Sequence, residues 1–185
     1  MLILDLLLAA GFVFLMELGD KTMLATLCFS ARLQRPALVL CIATAAFASV
    51  TLISIFAASL VATFVSQKLL PILGGAAFIA AGLFILLNPP EELQNTADIA
   101  SLSLTFITVF TAELGDKTQI AVFGLALTHT VLLVLVGAIL GFLLANALAL
   151  SLLHRYLKPE HVPRFLQITA LLLIGVGVVT IALSL

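Results

Sequence analysis

The sequence predicts an all-α integral membrane protein: six transmembrane helices built as two inverted three-helix repeats. Three observations lead there. Six stretches are long and apolar enough to cross a bilayer, which takes about 20 mainly apolar residues. The chain is 63% hydrophobic with a mean hydropathy of +1.33, more apolar surface than a soluble domain of 185 residues could hide. One pattern also occurs twice. Val13-Phe14-x-x-Glu17-Leu18-Gly19-Asp20-Lys21-Thr22 returns as Val109-Phe110-x-x-Glu113-Leu114-Gly115-Asp116-Lys117-Thr118, an offset of 96 residues.

The spans follow in order. Residues 3–30 form the first and carry the first motif; Met1 to Asp5 lacks a basic region, which reads as a retained helix rather than a cleaved signal. Turn and charge signals from Arg32 to Pro36 separate it from the second span, 37–65, whose Ser49, Thr51 and Ser54 read as packing hydroxyls. Ser66 to Lys68 leads to the third, 69–87, with Gly82. The longest and most acidic connection is 88–100, containing Pro89, Pro90, Glu91, Glu92 and Asp98, and it reads as a solvated linker. The fourth span, 101–127, carries the second motif. The fifth, 131–153, holds Gly137, Gly141 and Asn146, and the sixth, 165–185, holds Gly175 and Gly177. The expected units are therefore a first repeat over 1–87, the linker over 88–100 and a second repeat over 101–185.

Three spans per half force the second half to enter the membrane from the opposite side, which makes the repeats inverted, with a pseudo-two-fold axis in the membrane plane. Loop charge sets the orientation. Arg32, Arg35, Arg155, Lys158 and Arg164 fall on one side and Lys68 alone on the other. The first, third and fifth loops are then cytoplasmic and both termini extracytoplasmic. The two motifs meet near the midplane.

Other chemistries find little support. A net charge of −1 offers no footprint for nucleic acid. Cys28 and Cys41 lie in apolar runs and read as inert buried thiols. His129, His154 and His161 fall in loops, Asp5 reads as solvated near the surface, and the 13 phenylalanines read as packing and lipid-facing residues. No phosphate loop, Ser/His/Asp set or haem motif occurs, and no cofactor is expected.

The motifs hold six of the 17 charged residues of the chain. A charge in hydrocarbon costs roughly 2.5–3.5 kcal/mol on insertion scales, so each of the six needs protein, water or an ion beside it. On a continuous helix Glu17, Asp20 and Lys21 share one face, as do Glu113, Asp116 and Lys117. Gly19 and Gly115 permit either close helix approach or a local break. Thr22 and Thr118 add neutral oxygens, and Gln119 adds an amide in the second copy only. Paired across the axis, four carboxylates and two ammonium groups leave −2, which one divalent cation or two protons would neutralise. All the donors are hard oxygens, which suits Ca²⁺, Mn²⁺ or Mg²⁺ rather than Zn²⁺ or Cu⁺. The lysines read either as tethered counter-charges of the empty site or as partners of helix-end carbonyls.

With its doubled Glu-Leu-Gly-Asp-Lys-Thr, the chain resembles the small cation/proton exchangers defined by two Glu-x-Gly-Asp-Lys-Thr motifs. These include Golgi Ca²⁺/Mn²⁺ exchangers, chloroplast and cyanobacterial Mn²⁺ transporters and bacterial manganese exporters. Gly137 to Asn146 is similar to the fifth helix of that family. The resemblance implies a transporter rather than an enzyme, one that moves Mn²⁺, or also Ca²⁺, outward against protons across a bacterial plasma membrane. It implies a metal site on Glu17, Asp20, Glu113 and Asp116 with Thr22 and Thr118 nearby. Lys21, Lys117, Gln119 and Asn146 then fall on the pathway or act as counter-charges. Two other classes use similar parts: an intramembrane lipid-phosphate hydrolase, which would need an Arg, Ser or His beside the carboxylates, and a divalent-cation channel.

Overall fold

The computed structural model describes residues 2–66, 68–87, 101–152 and 162–184. The regular elements among them are all helical: α1 (Leu2–Glu17), α2 (Lys21–Leu33), α3 (Pro36–Phe64), α4 (Leu70–Leu87), α5 (Leu102–Glu113), α6 (Lys117–Thr128), α7 (Val131–Leu152) and α8 (Val162–Ala182). The linker 88–100, His154, His161, Arg155 and Lys158 lie outside the described residues.

Four expected spans are single helices, α3, α4, α7 and α8. The other two are not. The stretch 3–30 is divided into α1 and α2, and 101–127 into α5 and α6, each at its motif. The cause is local. Gly19 has φ 79 and Gly115 φ 73, a left-handed backbone that costs other residues about 1–2 kcal/mol. Asp20 and Asp116 follow in extended conformation (ψ 162 and 164) and stand as N-caps of α2 and α6. In each break the Asp N–H donates to the Glu carbonyl three residues back, at 3.1 Å. The single shared helix face expected for Glu17, Asp20 and Lys21, and for Glu113, Asp116 and Lys117, is thereby corrected. Of the two uses open to the glycines, the fold employs the break.

The two breaks turn Glu17, Asp20, Glu113 and Asp116 into the buried interior. α1 packs along α7, α5 along α3, α6 along α4, and α4 along α8. In the α4–α8 seam a Cβ added at Gly75 would lie 2.7 Å from the Gly177 carbonyl, and one at Gly82 2.7 Å from the Ala170 carbonyl. Only small residues let two backbones approach this closely, and such packing is how helices associate where lipid supplies no hydrophobic drive. A shift of 95 residues maps Gly75 onto Ala170 and Gly82 onto Gly177, and so converts one contact into the other. The same shift maps Phe47 of α3 onto Phe142 of α7, and these two rings stack at 4.2 Å in the buried core.

Among the described residues, α3 and Val131–Ser151 of α7 are long and apolar enough to cross a bilayer alone. Shorter apolar stretches run over Leu70–Phe84, Leu102–Glu113 and Ala170–Ala182. Large apolar side chains cover the outside of the bundle, Phe56, Leu132, Leu144 and Leu171 among them, each more than half exposed. A soluble protein rarely displays so much apolar surface. Cys28 and Cys41 are free, as expected, but both are exposed on the bundle rather than buried in it.

Candidate cation-binding site

At the two breaks the carboxyl ends of α1 and α5 face the amino ends of α2 and α6. Glu17 and Glu113 are the last residues of their helices, where the backbone dipole favours a cation. Asp20 and Asp116 stand at helix amino ends, where it favours a carboxylate. Neither aspartate spends its side chain on capping its own helix. Both remain free for tertiary contacts.

These side chains meet inside the protein. Glu17, Asp20 and Glu113 each place a carboxylate oxygen within 4.8 Å of the others, a spacing that a single ion can bridge. Glu17 and Glu113 are fully buried, and Asp20, Asp116, Lys117, Thr22, Thr118 and Gln119 are buried as well. Glu17 receives hydrogen bonds from both threonines: Thr22 at 2.9 Å from its own motif, and Thr118 at 2.8 Å from the other. Thr22 also lies 3.4 Å from Asp20.

The lysines cross between the motifs. Lys117 pairs with Asp20 of the first motif and lies 3.2 Å from Asp116 of its own. Lys21 pairs with Asp116 of the second motif at 3.4 Å. The pairs suggested by helical spacing, Glu17–Lys21 and Glu113–Lys117, are not the ones formed, because the helix ends between their members. The lysines sit on carboxylates rather than on helix-end carbonyls. They also differ from each other: the Lys117 side chain is 5% exposed and that of Lys21 41%.

Glu113 is held differently from Glu17. Its Oε2 accepts from Gln119 Nε2 at 3.4 Å, and its Oε1 is buried with no hydrogen-bond partner. An oxygen left bare in a desolvated site is costly unless something else comes to it. Gln119 is itself anchored from α3: Ser54 donates to its Oε1 at 2.9 Å, and Thr51 lies 3.4 Å from its Nε2. Read as packing hydroxyls, Thr51 and Ser54 turn out to orient a site amide. Their spacing of three residues on one helix face was the available signal. Asn146 is fully buried on α7; its Nδ2 donates to the Phe142 carbonyl at 3.0 Å and its Oδ1 has no partner. Among the described residues no hydrogen bond links it to the motifs. Asp5, expected to be solvated, accepts from the Thr130 N–H at 3.2 Å.

The sequence profile of the divalent cation/proton antiporter GDT1 family matches residues 5–92 and 101–184, nearly the whole chain. The chain belongs to that family. Members of the GDT1 family are transporters and not enzymes, which bears out the family resemblance carried by the doubled motif and sets the hydrolase aside. A protein of Vibrio cholerae serotype O1 named "Putative manganese exporter" is 32% identical over 139 residues, which span 72% of this chain and 68% of that protein. No solved structure matches. As a GDT1-family member the chain is a helical membrane protein of cation transport, and the buried acidic cluster lies within the matched residues.

Proposed function

We propose that this protein exports a divalent cation, Mn²⁺ foremost and Ca²⁺ as the second candidate, in exchange for protons. The observation that carries this is the meeting of Glu17, Asp20 and Glu113 from the two motifs within 4.8 Å of one another. Glu17, Asp20, Glu113 and Asp116 supply carboxylate oxygens, and Thr22 and Thr118 orient Glu17. Such donors suit a hard or borderline divalent ion. With both lysines the cluster carries −2, matched by one divalent cation on one half of the cycle or two protons on the other. The name of the Vibrio cholerae relative favours Mn²⁺ as the cargo.

In this reading the chain forms six spans, two of them broken, as inverted repeats over 1–87 and 101–185 joined by the cytoplasmic linker 88–100. The crossed lysine pairs, the Phe47–Phe142 stack and the twin contacts of the α4–α8 seam support two equivalent halves around one axis. Both termini then lie outside a bacterial plasma membrane, an orientation that the excess of Arg and Lys between spans 1 and 2 and between spans 5 and 6 supports. The halves rock around the carboxylates and expose them to one side at a time.

The test uses purified protein in liposomes with a pH dye inside. Mn²⁺ added outside should make the lumen more alkaline as protons leave in exchange, with Ca²⁺ giving the weaker response. Metal entry that moves no protons would make the protein a channel or uniporter instead.

A further inference from the structure

On α2 and α6, equivalent residues are not all equally buried, and the differences there fall on one face. Positions 96 residues apart on α2 and α6 match closely along most of their length: Ala25 and Ala121, Thr26 and Val122, Phe29 and Leu125, Ser30 and Ala126 are all buried. Cys28 and Ala31 break the match. They are exposed, while their counterparts Gly124 and Leu127 are buried. The cover on α6 comes from α4. A Cβ added at Gly124 would lie 2.9 Å from the Gly74 carbonyl and 3.1 Å from Ala77 Cβ. On the other half, the counterpart of Ala77 on α8 is Leu172, which is 51% exposed. The sequence has Cys28 and Thr169 where the closed seam has two glycines.

The lysines repeat this asymmetry. Lys117 begins the covered helix α6 and is buried in the site, whereas Lys21 begins the uncovered helix α2 and is partly exposed. Beside Cys28 a crevice of about 440 Å³ opens between α2, the start of α3 and the end of α7. Ser30 lines it and has a buried hydroxyl without a hydrogen-bond partner.

We infer that the Gly74–Gly124 seam between α4 and α6 is one gate of the transport cycle, shut in this structure, and that the face of α2 bearing Cys28 and Ala31 is the matching gate, open toward the side of Arg32 and Arg35. The inference rests on the proposed exchange by two equivalent halves and adds the residues that take turns closing. When α6 parts from α4, α2 closes over Cys28, and Lys21 and Lys117 exchange burial. Gly124 has no room for a side chain because the opposing atom is a backbone carbonyl, which cannot move aside as a side chain can.

Cys28 makes this testable, since Cys41 is the other cysteine of the chain. In lipid nanodiscs, the full chain carrying Cys41→Ala should react at Cys28 with a water-soluble maleimide. Adding Gly124→Ala, or Gly74→Ala from the other side of the seam, should slow that reaction about tenfold as the population shifts to the opposite state. In a chain carrying Cys28→Ala and Cys41→Ala, a reporter at Leu127→Cys should be protected, and Gly124→Ala should make it reactive. Cys28 that fails to react, or reacts equally fast with and without Gly124→Ala in protein that still exchanges Mn²⁺ for protons, overturns the gate and leaves the transport reading standing. Reciprocal labelling in protein that exchanges nothing supports the gate and rejects the transport reading.

Discussion

Lys117→Met should lower the thermal midpoint by an amount on the order of 10 °C, while Lys21→Met should lower it by about 2 °C or less. The two lysines have identical neighbours in sequence, Asp before and Thr after, so local sequence predicts equal effects. The structure does not. Lys117 is enclosed between Asp20 and Asp116, and removing a partner from a buried ion pair typically costs 3–5 kcal/mol because a charge is left uncompensated. Lys21 makes its 3.4 Å contact from a side chain that is 41% exposed, where water and counter-ions replace the ammonium at little cost. Added Mn²⁺ should restore more of the midpoint in Lys117→Met than it adds to the parent, since a divalent ion can fill the place of the missing ammonium. Differential scanning fluorimetry with and without Mn²⁺ measures all of this. Equal losses for the two variants would mean that the lysines are not held as described.

Glu17→Gln and Glu113→Gln should each reduce Mn²⁺-driven proton movement by at least about a hundredfold, since even outer-shell partners of a bound metal are commonly worth 10–100-fold. The swap keeps the shape of the side chain and removes a charge that the proposed exchange requires in both halves of its cycle. Glu17→Gln leaves Thr22 and Thr118 able to donate to the amide oxygen, so folding should survive and the loss should be one of transport. Glu113→Gln removes a carboxylate whose Oε1 has no partner in the protein, so its loss should cost the fold still less. The same liposome assay, read beside gel-filtration profiles, separates the two effects. Either variant exchanging at the parent rate would remove that residue from the site.

Much of this was legible in the sequence because a charge in hydrocarbon needs a reason. Six of the charged residues lie in two copies of one motif, and that was enough to bring Glu17, Asp20, Glu113 and Asp116 into one expected site. The helix breaks were half legible. Gly19 and Gly115 permit a left-handed turn, but glycine serves close packing equally well in membrane helices, and only their φ angles decide between the two. The crossed pairs Lys21–Asp116 and Lys117–Asp20 were not legible at all, since helical spacing pairs a lysine with its own motif and the true partners lie about half a chain away. Thr51 and Ser54 read as packing hydroxyls for a similar reason: a hydroxyl in an apolar helix usually bonds to its own backbone, as Ser49 does to the Ala45 carbonyl. The difference in burial between Cys28 and Gly124 comes from packing against α4, which repeated motifs do not encode.

Calorimetric titration of the purified protein with Mn²⁺ decides whether the two motifs make one site. A shared site takes up a single ion per chain, with binding lost to Glu17→Gln in the first motif and equally to Glu113→Gln in the second. Two ions per chain, or one that survives the loss of either glutamate, would show instead that each motif binds on its own.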